Sequence, residues 1–455
     1  ASEITAIGQE ALYSNTTGVD NTAVGKNAMY ANTTGTYNVA VGNNALDSCT
    51  SGISNVCLGV SAGHAITTGQ KNIAIGRTAL ASNTTATGNV AVGHDALTDN
   101  TTGYDNVAVG KDALKNNTTG YFNTAVGAHA LDANTTAANN TAIGKWALSA
   151  VTTGSNSVAV GYNALKALST GYNNTALGRG AMAATTTGHN AVGIGYDALK
   201  ENTTGTQHIA IGFEALKENT TAGSNIAIGY RAAKTNTTGY NNTVVGTGAY
   251  VDATTAMNNT AIGHNAGHNV TTGRDNLSLG TAAGSGVTTG QYSVAIGNSC
   301  FTNNAGSWYN VVIGQDAQTS STTVGNQFVL GASHINDLRC DDTSISGLSD
   351  ERDKSNIVDL PLGVDFLNTV RPVSFDWTRR DGSKPGWKAF GFIAQELQVA
   401  AEATDYKEHM RLVHDENPDR LEADPMKMFP ILVKSIQELS AKNEALLARI
   451  VTLEG

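Results

Sequence analysis

Proline is missing from the first 348 residues of this 455-residue chain; all six prolines (Pro361, Pro372, Pro385, Pro418, Pro425, Pro430) come later. Charge is thin over the same stretch. Residues 349–455 hold 14 Lys/Arg and 19 Asp/Glu, half of the chain's 66 charged residues in under a quarter of its length. The net charge is −10 and no run of Lys and Arg offsets it, which argues against the basic face that nucleic-acid binding needs. No apolar run approaches the ~20 residues that cross a bilayer, so no membrane insertion is expected. No signal-peptide pattern opens the sequence, where a repeat unit is already under way. The four cysteines (Cys49, Cys57, Cys300, Cys340) lack metal-ligand spacing, and Cys57 and Cys300 stand in slots that mostly hold alanine. They read as small buried hydrophobes, compatible with synthesis in a reducing cytosol. The ten histidines are scattered singly, so neither a metal nor another cofactor is expected.

What the first part has in excess is glycine, 45 of the chain's 50. One glycine recurs every 17 residues from Gly8, Gly25 and Gly42 to Gly314 and Gly331, twenty times without insertion or deletion. An aliphatic residue always precedes it, and alanine stands three positions after it in 18 of 20 units, Cys300 and His334 excepted. The unit reads N-[VIT]-A-[VIL]-G-x-x-A-L-x-x-N-T-T-G-x-x. A short fixed period of this kind predicts a solenoid, one coil per unit.

Within a unit, Asn38-Val39-Ala40-Val41-Gly42 is a short strand, with Val39 and Val41 on one face and Ala40 on the other. Ala45-Leu46 falls on the return stretch, and Asn-Thr-Thr-Gly supplies turn chemistry, with Asn and Gly suited to left-handed angles. Coils stacked at sheet spacing give a rod on the order of 95 Å. A coil lined mostly by alanine buries little apolar surface, so lateral association with sister chains is expected, through one or the other strand face. The asparagine before the strand (Asn21, Asn38, Asn55, Asn72, Asn89, Asn106) is placed to stack into an amide ladder.

Some outward slots suggest binding. Tyr196, Phe213 and Tyr230 follow the glycine in three consecutive units and would stack as a stripe, a candidate glycan contact; Tyr104 and Tyr121 share another slot. Nine Asn-Thr-Thr sites (Asn15, Asn32, Asn83, Asn100, Asn117, Asn134, Asn202, Asn219, Asn236) match a glycosylation sequon but recur at one slot, so they read as turns. Acidic residues are sparse and spread over variable slots, and no carboxylate pair for glycan cleavage stands out.

The repeat pattern resembles the β-roll head of YadA-like trimeric adhesins, over about residues 1–331. That resemblance implies a parallel homotrimer, although the repeat here is longer. After Gly331 the period frays through a connector, residues 334–348. Then come Ser349-Asp350-x-Arg352-x-Lys354, Leu367-Asn368-Thr369-Val370-Arg371-Pro372-Val373, Gly391-Phe392-Ile393-Ala394-Gln395-Glu396 and Pro430-Ile431-Leu432-Val433-Lys434. This series resembles the self-cleaving intramolecular chaperone domain of phage tail spikes and fibres, the endosialidase type. The resemblance implies autoproteolysis between Leu348 and Ser349 by a Ser349–Lys354 dyad. Such a cut is a single turnover with no external substrate. The chemistry is open to these residues, since a buried neutral lysine can serve as base for a serine hydroxyl.

From Phe429 a heptad places Phe429, Ile436, Asn443 and Ile450 at a, and Leu432, Leu439, Leu446 and Leu453 at d. It predicts a parallel coiled coil over 429–454, with Asp424 before Pro425 as the helix start and Pro430 as a potential break. The expected architecture is mainly β: a trimeric β-solenoid of 20 coils (residues 1–333), then a small α+β chaperone domain (349–455) ending in a trimeric coiled coil. The function that the resemblance implies is a phage tail fibre in the virion, made in the host cytoplasm. Its expected partners are two sister chains, other tail proteins and a host-surface glycan. A bacterial trimeric adhesin head and a glycan-degrading tailspike are the alternatives.

Overall fold

The computed structural model describes residues 3–332, 335, 351–378, 386–414 and 421–454. Twenty three-residue strands, β1 (Thr5–Ile7) to β20 (Phe328–Leu330), recur once per repeat. They form one parallel sheet in constant register, so that Ala23 lies beside Ala40 and Ala40 beside Cys57. The fold is a parallel β-solenoid, the architecture the period implies.

The strand face that points inward is the alanine face. Ala23, Ala40, Ala74 and Ala91 are fully buried, while Val41, Ile75 and Ile143 on the opposite face are 37–42 % exposed. The interior is fuller than an alanine lining, because the return stretch adds a column of large side chains: Met29, Leu46, Leu80, Leu97 and Leu114 are all fully buried. Alanine on one wall faces leucine on the other, which is how a thin coil closes without a void.

Left-handed backbone builds the return stretch. Asn44 has φ 55° and Leu46 φ 52°, and the same slots repeat this in coil after coil. β-Branched side chains are disfavoured in that region, and Thr78 (φ 57°) in the first of the two slots is the one exception among the described residues. Accordingly the leucine slot, from Leu12 to Phe301, never holds Val, Ile or Thr. The repeat glycine is more demanding still, with φ between 127° and 145° from Gly8 to Gly314. A Cβ on Gly42 would also lie 2.4 Å from the Gly59 carbonyl oxygen. The Asn-Thr-Thr-Gly corner, by contrast, is not left-handed. Gly35 has no positive φ and is glycine for space, since a Cβ there would lie 2.6 Å from the Gly52 oxygen.

Two amide columns run through the interior. The expected one is present: Nδ2 of Asn38 donates to Oδ1 of Asn21 at 3.2 Å and to the Gly52 carbonyl at 2.8 Å. The second consists of the sequon asparagines. Asn117 Nδ2 donates to Asn100 Oδ1 at 2.7 Å and Asn134 Nδ2 to Asn117 Oδ1 at 2.6 Å, and these side chains are fully buried. A buried, stacked asparagine offers nothing to a glycosyltransferase. This column is broken into runs. Cys49 follows Asn32, Val151 follows Asn134 and Ala253 follows Asn236 in the next coil. At those three run ends, Oδ1 of Asn32, Asn134 and Asn236 has no hydrogen-bond partner.

A second compact unit holds most of the C-terminal residues. It comprises α1 (Val364–Leu367), the antiparallel pair β21 (Val373–Trp377) and β22 (Trp387–Gly391), α2 (Ala394–Glu402), α3 (Lys407–Met410), the short pair β23 (Val413–His414) and β24 (Glu422–Ala423), and α4 (Phe429–Glu454). Its small core gathers Leu362, Phe366, Leu397, Met410, Leu412 and Ile431. Asp424 precedes a 3-10 turn, Pro425–Met428, and not the long helix itself. Pro430 makes no break, because it sits in the first turn of α4, where the missing N–H has no intrahelical acceptor to lose.

Candidate functional site

Leu348 and Ser349, the expected scissile pair, lie outside the described residues. Lys354 follows a 3-10 turn, Glu351–Asp353, its backbone N–H donating to the Glu351 carbonyl at 3.1 Å, and its side chain is exposed.

The other motif segments meet in the folded unit. Arg371, ahead of β21, and Glu396, in the first turn of α2, form a two-pronged ion pair: Arg371 Nε donates to Glu396 Oε2 at 3.1 Å and Nη2 to Oε1. That hydrogen bonding holds the Glu396 carboxyl below its ordinary range and raises Arg371. The planar guanidinium fork explains why arginine and glutamate are used. The sequence offers the two segments but no sign that they touch, 25 residues apart.

Helix α4 has two working faces. One packs on its own unit through buried Ile431 and Ser435, and one turn on Glu438 accepts the Val364 N–H at 3.1 Å, capping α1. Gly363 makes room for that carboxylate, since a Cβ there would lie 2.3 Å from Glu438 Oε2. The heptad face is bare. Phe429 is 62 % exposed, Ile436 66 %, Leu439 50 % and Leu453 84 %. The helix thus keeps one apolar face that its own unit leaves uncovered.

On the solenoid, Tyr196, Phe213 and Tyr230 stack with centroids 5.2 Å apart and planes within 12°. Their faces are turned on one another, so ring edges and hydroxyls point outward instead of the flat faces on which sugars stack. Tyr104 and Tyr121 stack in the same way at 5.0 Å. Arg179 extends the stripe, its guanidinium 5.4 Å from the Tyr196 ring and 5.9 Å from Tyr162. Stacking also brings Asp112 to the adjacent pair His94 and Asp95 of the preceding coil. His94, Asp95 and Asp112 come within 4.8 Å of one another. Basic side chains already serve two of the three, however: Arg77 Nε donates to His94 Nε2 at 2.9 Å, and Lys115 pairs with Asp112 at 3.4 Å.

The described residues make two units, a twenty-coil solenoid and a small α+β unit whose long helix carries an exposed heptad face. Residues 349–409 match the family model described as the chaperone of endosialidase, peptidase S74, which places a chaperone domain of that type at the C-terminal end. No curated protein and no solved structure matches the chain.

Proposed function

We propose that this chain is a virion component, a phage tail fibre that assembles as a parallel homotrimer, with a C-terminal chaperone that starts the trimer and then cuts itself free. One observation carries the reading. The aliphatic column before the repeat glycine runs outward over all twenty coils, from Ile7 (60 % exposed) through Val109 (37 %) and Ile262 (39 %) to Leu330 (49 %). Covering a side chain that is about two-fifths exposed is worth roughly 0.6–1.2 kcal/mol, so a column of this length contributes on the order of 10–20 kcal/mol per chain as an upper bound. That is comparable with a whole domain's stability. The bare heptad face of α4 supports the same arrangement at the other end.

Identical coils can pair out of register by a whole repeat at little loss, and a trimeric helix that forms first removes that choice. For the cut, Ser349 Oγ attacks the Leu348 carbonyl carbon while Lys354 takes the hydroxyl proton and passes it to the peptide nitrogen. That nitrogen leaves as the Ser349 amine, and water then hydrolyses the ester to a Leu348 carboxylate and a restored Ser349 hydroxyl. Host-surface glycan is the proposed external ligand, met by the ring edges of Tyr196, Phe213 and Tyr230 and the hydroxyls of the two tyrosines. Sedimentation of the full chain tests the trimer, and a single-chain mass would overturn it. Intact mass tests the cut. Two species divided before Ser349 are expected, and one uncut chain for Ser349→Ala or Lys354→Ala; an uncut wild type leaves a chaperone without protease activity.

A further inference from the structure

A repeat lets outward positions be compared coil by coil. Most vary freely: the slot after the repeat glycine holds Lys145, Tyr162, Arg179, Tyr196, Thr247 and His264 among others. The aliphatic column does not vary in character, and neither does one polar column. From Thr17 to Thr289 the second threonine of the corner is present in 16 of 17 coils, with Ser51 the exception. Every one of those threonines is exposed in the single chain.

The threonine just before it has a duty within the chain. Thr33 Oγ1 donates to the Thr50 carbonyl at 2.9 Å and Thr118 Oγ1 to the Thr135 carbonyl at 3.0 Å, a ladder repeated along the rod. The exposed threonine has none. Thr289 apart, which reaches the Ala305 carbonyl at 3.4 Å, none of these hydroxyls bonds within the chain. Turn propensity does not account for a single residue type either, since other exposed turn slots accept Ser, Lys, Asp and Asn.

We propose that this threonine column is a second intersubunit seam, packed against the outward strand face of an adjacent copy of the same chain. The inference rests on the trimer reading above. The occupant follows from the repeat itself. A contact kept over 17 consecutive coils needs a partner with the same axial period over the same length, and a parallel copy in register supplies it at each coil. In a three-membered ring, adjacent chains meet through two different surfaces, so two distinct uniform columns are required. The outward strand residues are the matching surface: in the uniform column before the repeat glycine, Val41, Ile75, Val109 and Ile143 are β-branched and 37–42 % exposed. A threonine methyl packs on them, and its hydroxyl stays free for water or backbone at the seam.

The test is thiol labelling of the full chain, with Thr204→Cys compared against Glu201→Cys in the same coil, both exposed in the single chain. Each is treated with maleimide under native conditions, above the wild-type background, while sedimentation reports the assembly. In a trimer, Cys at 204 should label about tenfold more slowly or less, Cys at 201 freely, and both equally fast after unfolding. A trimer in which both label at the same rate overturns the seam and leaves the trimer standing. A single-chain sedimentation profile overturns the trimer reading itself. Should Thr204→Cys fail to assemble, Thr204→Ser with Thr221→Ser and Thr238→Ser is expected to assemble and Thr204→Lys with Thr221→Lys and Thr238→Lys is not; assembly of the lysine variant also sinks the proposal.

Discussion

Replacing Asn117 and replacing Asn134 with valine remove the same side chain from the same column, one coil apart, and yet the first should cost more. In the second amide column Oδ1 of Asn100 and of Asn117 accepts from the Nδ2 of the following coil, until the run ends at Asn134, where Val151 offers no donor and Oδ1 is stranded. Asn134→Val deletes that stranded oxygen and strands Asn117 Oδ1 in its place, so the number of unsatisfied carbonyls is unchanged. Asn117→Val strands Asn100 Oδ1 and leaves Asn134 as it was, so the number rises by one. A buried unsatisfied acceptor costs about 1–3 kcal/mol, so the two variants should differ by that much. Valine fits the slot, as Val151 demonstrates. Amide hydrogen exchange over residues 95–155 reads local opening, and Asn117→Val should open roughly 5- to 150-fold more readily than Asn134→Val. Equal protection, or the reverse order, would refute the claim that run ends carry the penalty.

Other outcomes follow from the same coil. Leu131→Ile, a volume-neutral change, should lower the melting temperature much more than Leu131→Met, because Leu131 has φ 52°, where a β-branched side chain clashes with its own backbone; equal shifts would sink the backbone argument. Tyr250 fits inside only because Gly267 lies in the next coil, where a Cβ would come within 2.2 Å of its ring. Gly267→Leu should therefore destabilise by about 1–3 kcal/mol or more, and Tyr250→Leu added to it should recover most of that in a thermal double-mutant cycle. His208 replaces asparagine in the first amide column, fully buried, with Nδ1 accepting the Asn225 N–H and Nε2 donating to the Ala222 carbonyl. Burial lowers its pKa below the ordinary 6.5, so the neutral ring is the folded form. The sign follows: stability is full above 6.5 and falls as pH drops from there through the folded value. Its column and corner neighbours (Ala191, Asn225, Asn202, Asn219) carry no titratable group, so His208→Asn should abolish the extra acid-induced exchange in these coils.

Much of the fold was legible because a strict period repeats its constraints. The glycine spacing, the alanine and leucine slots and the first amide ladder all recur too regularly to be anything other than stacked coils. A strand of alternating character has two apolar faces, though, and nothing local says which one is inside. That depended on where the return stretch crosses, and it placed alanine inward and the valines out. The left-handed positions were misread for a related reason. Asparagine and glycine at the corner suggest positive φ, but there they serve a buried hydrogen bond and a close approach to the next coil, while leucine adopts the strained angle. The C-terminal motifs were legible as segments, and the heptad as a seam, because both are local in sequence. The Arg371–Glu396 pair, the Glu438 cap on α1, the His94–Asp112 cluster and the three stranded amide oxygens join residues far apart in the chain. Only the closing of the coils and of the small core brings such groups within hydrogen-bond reach, so only the tertiary structure decided them.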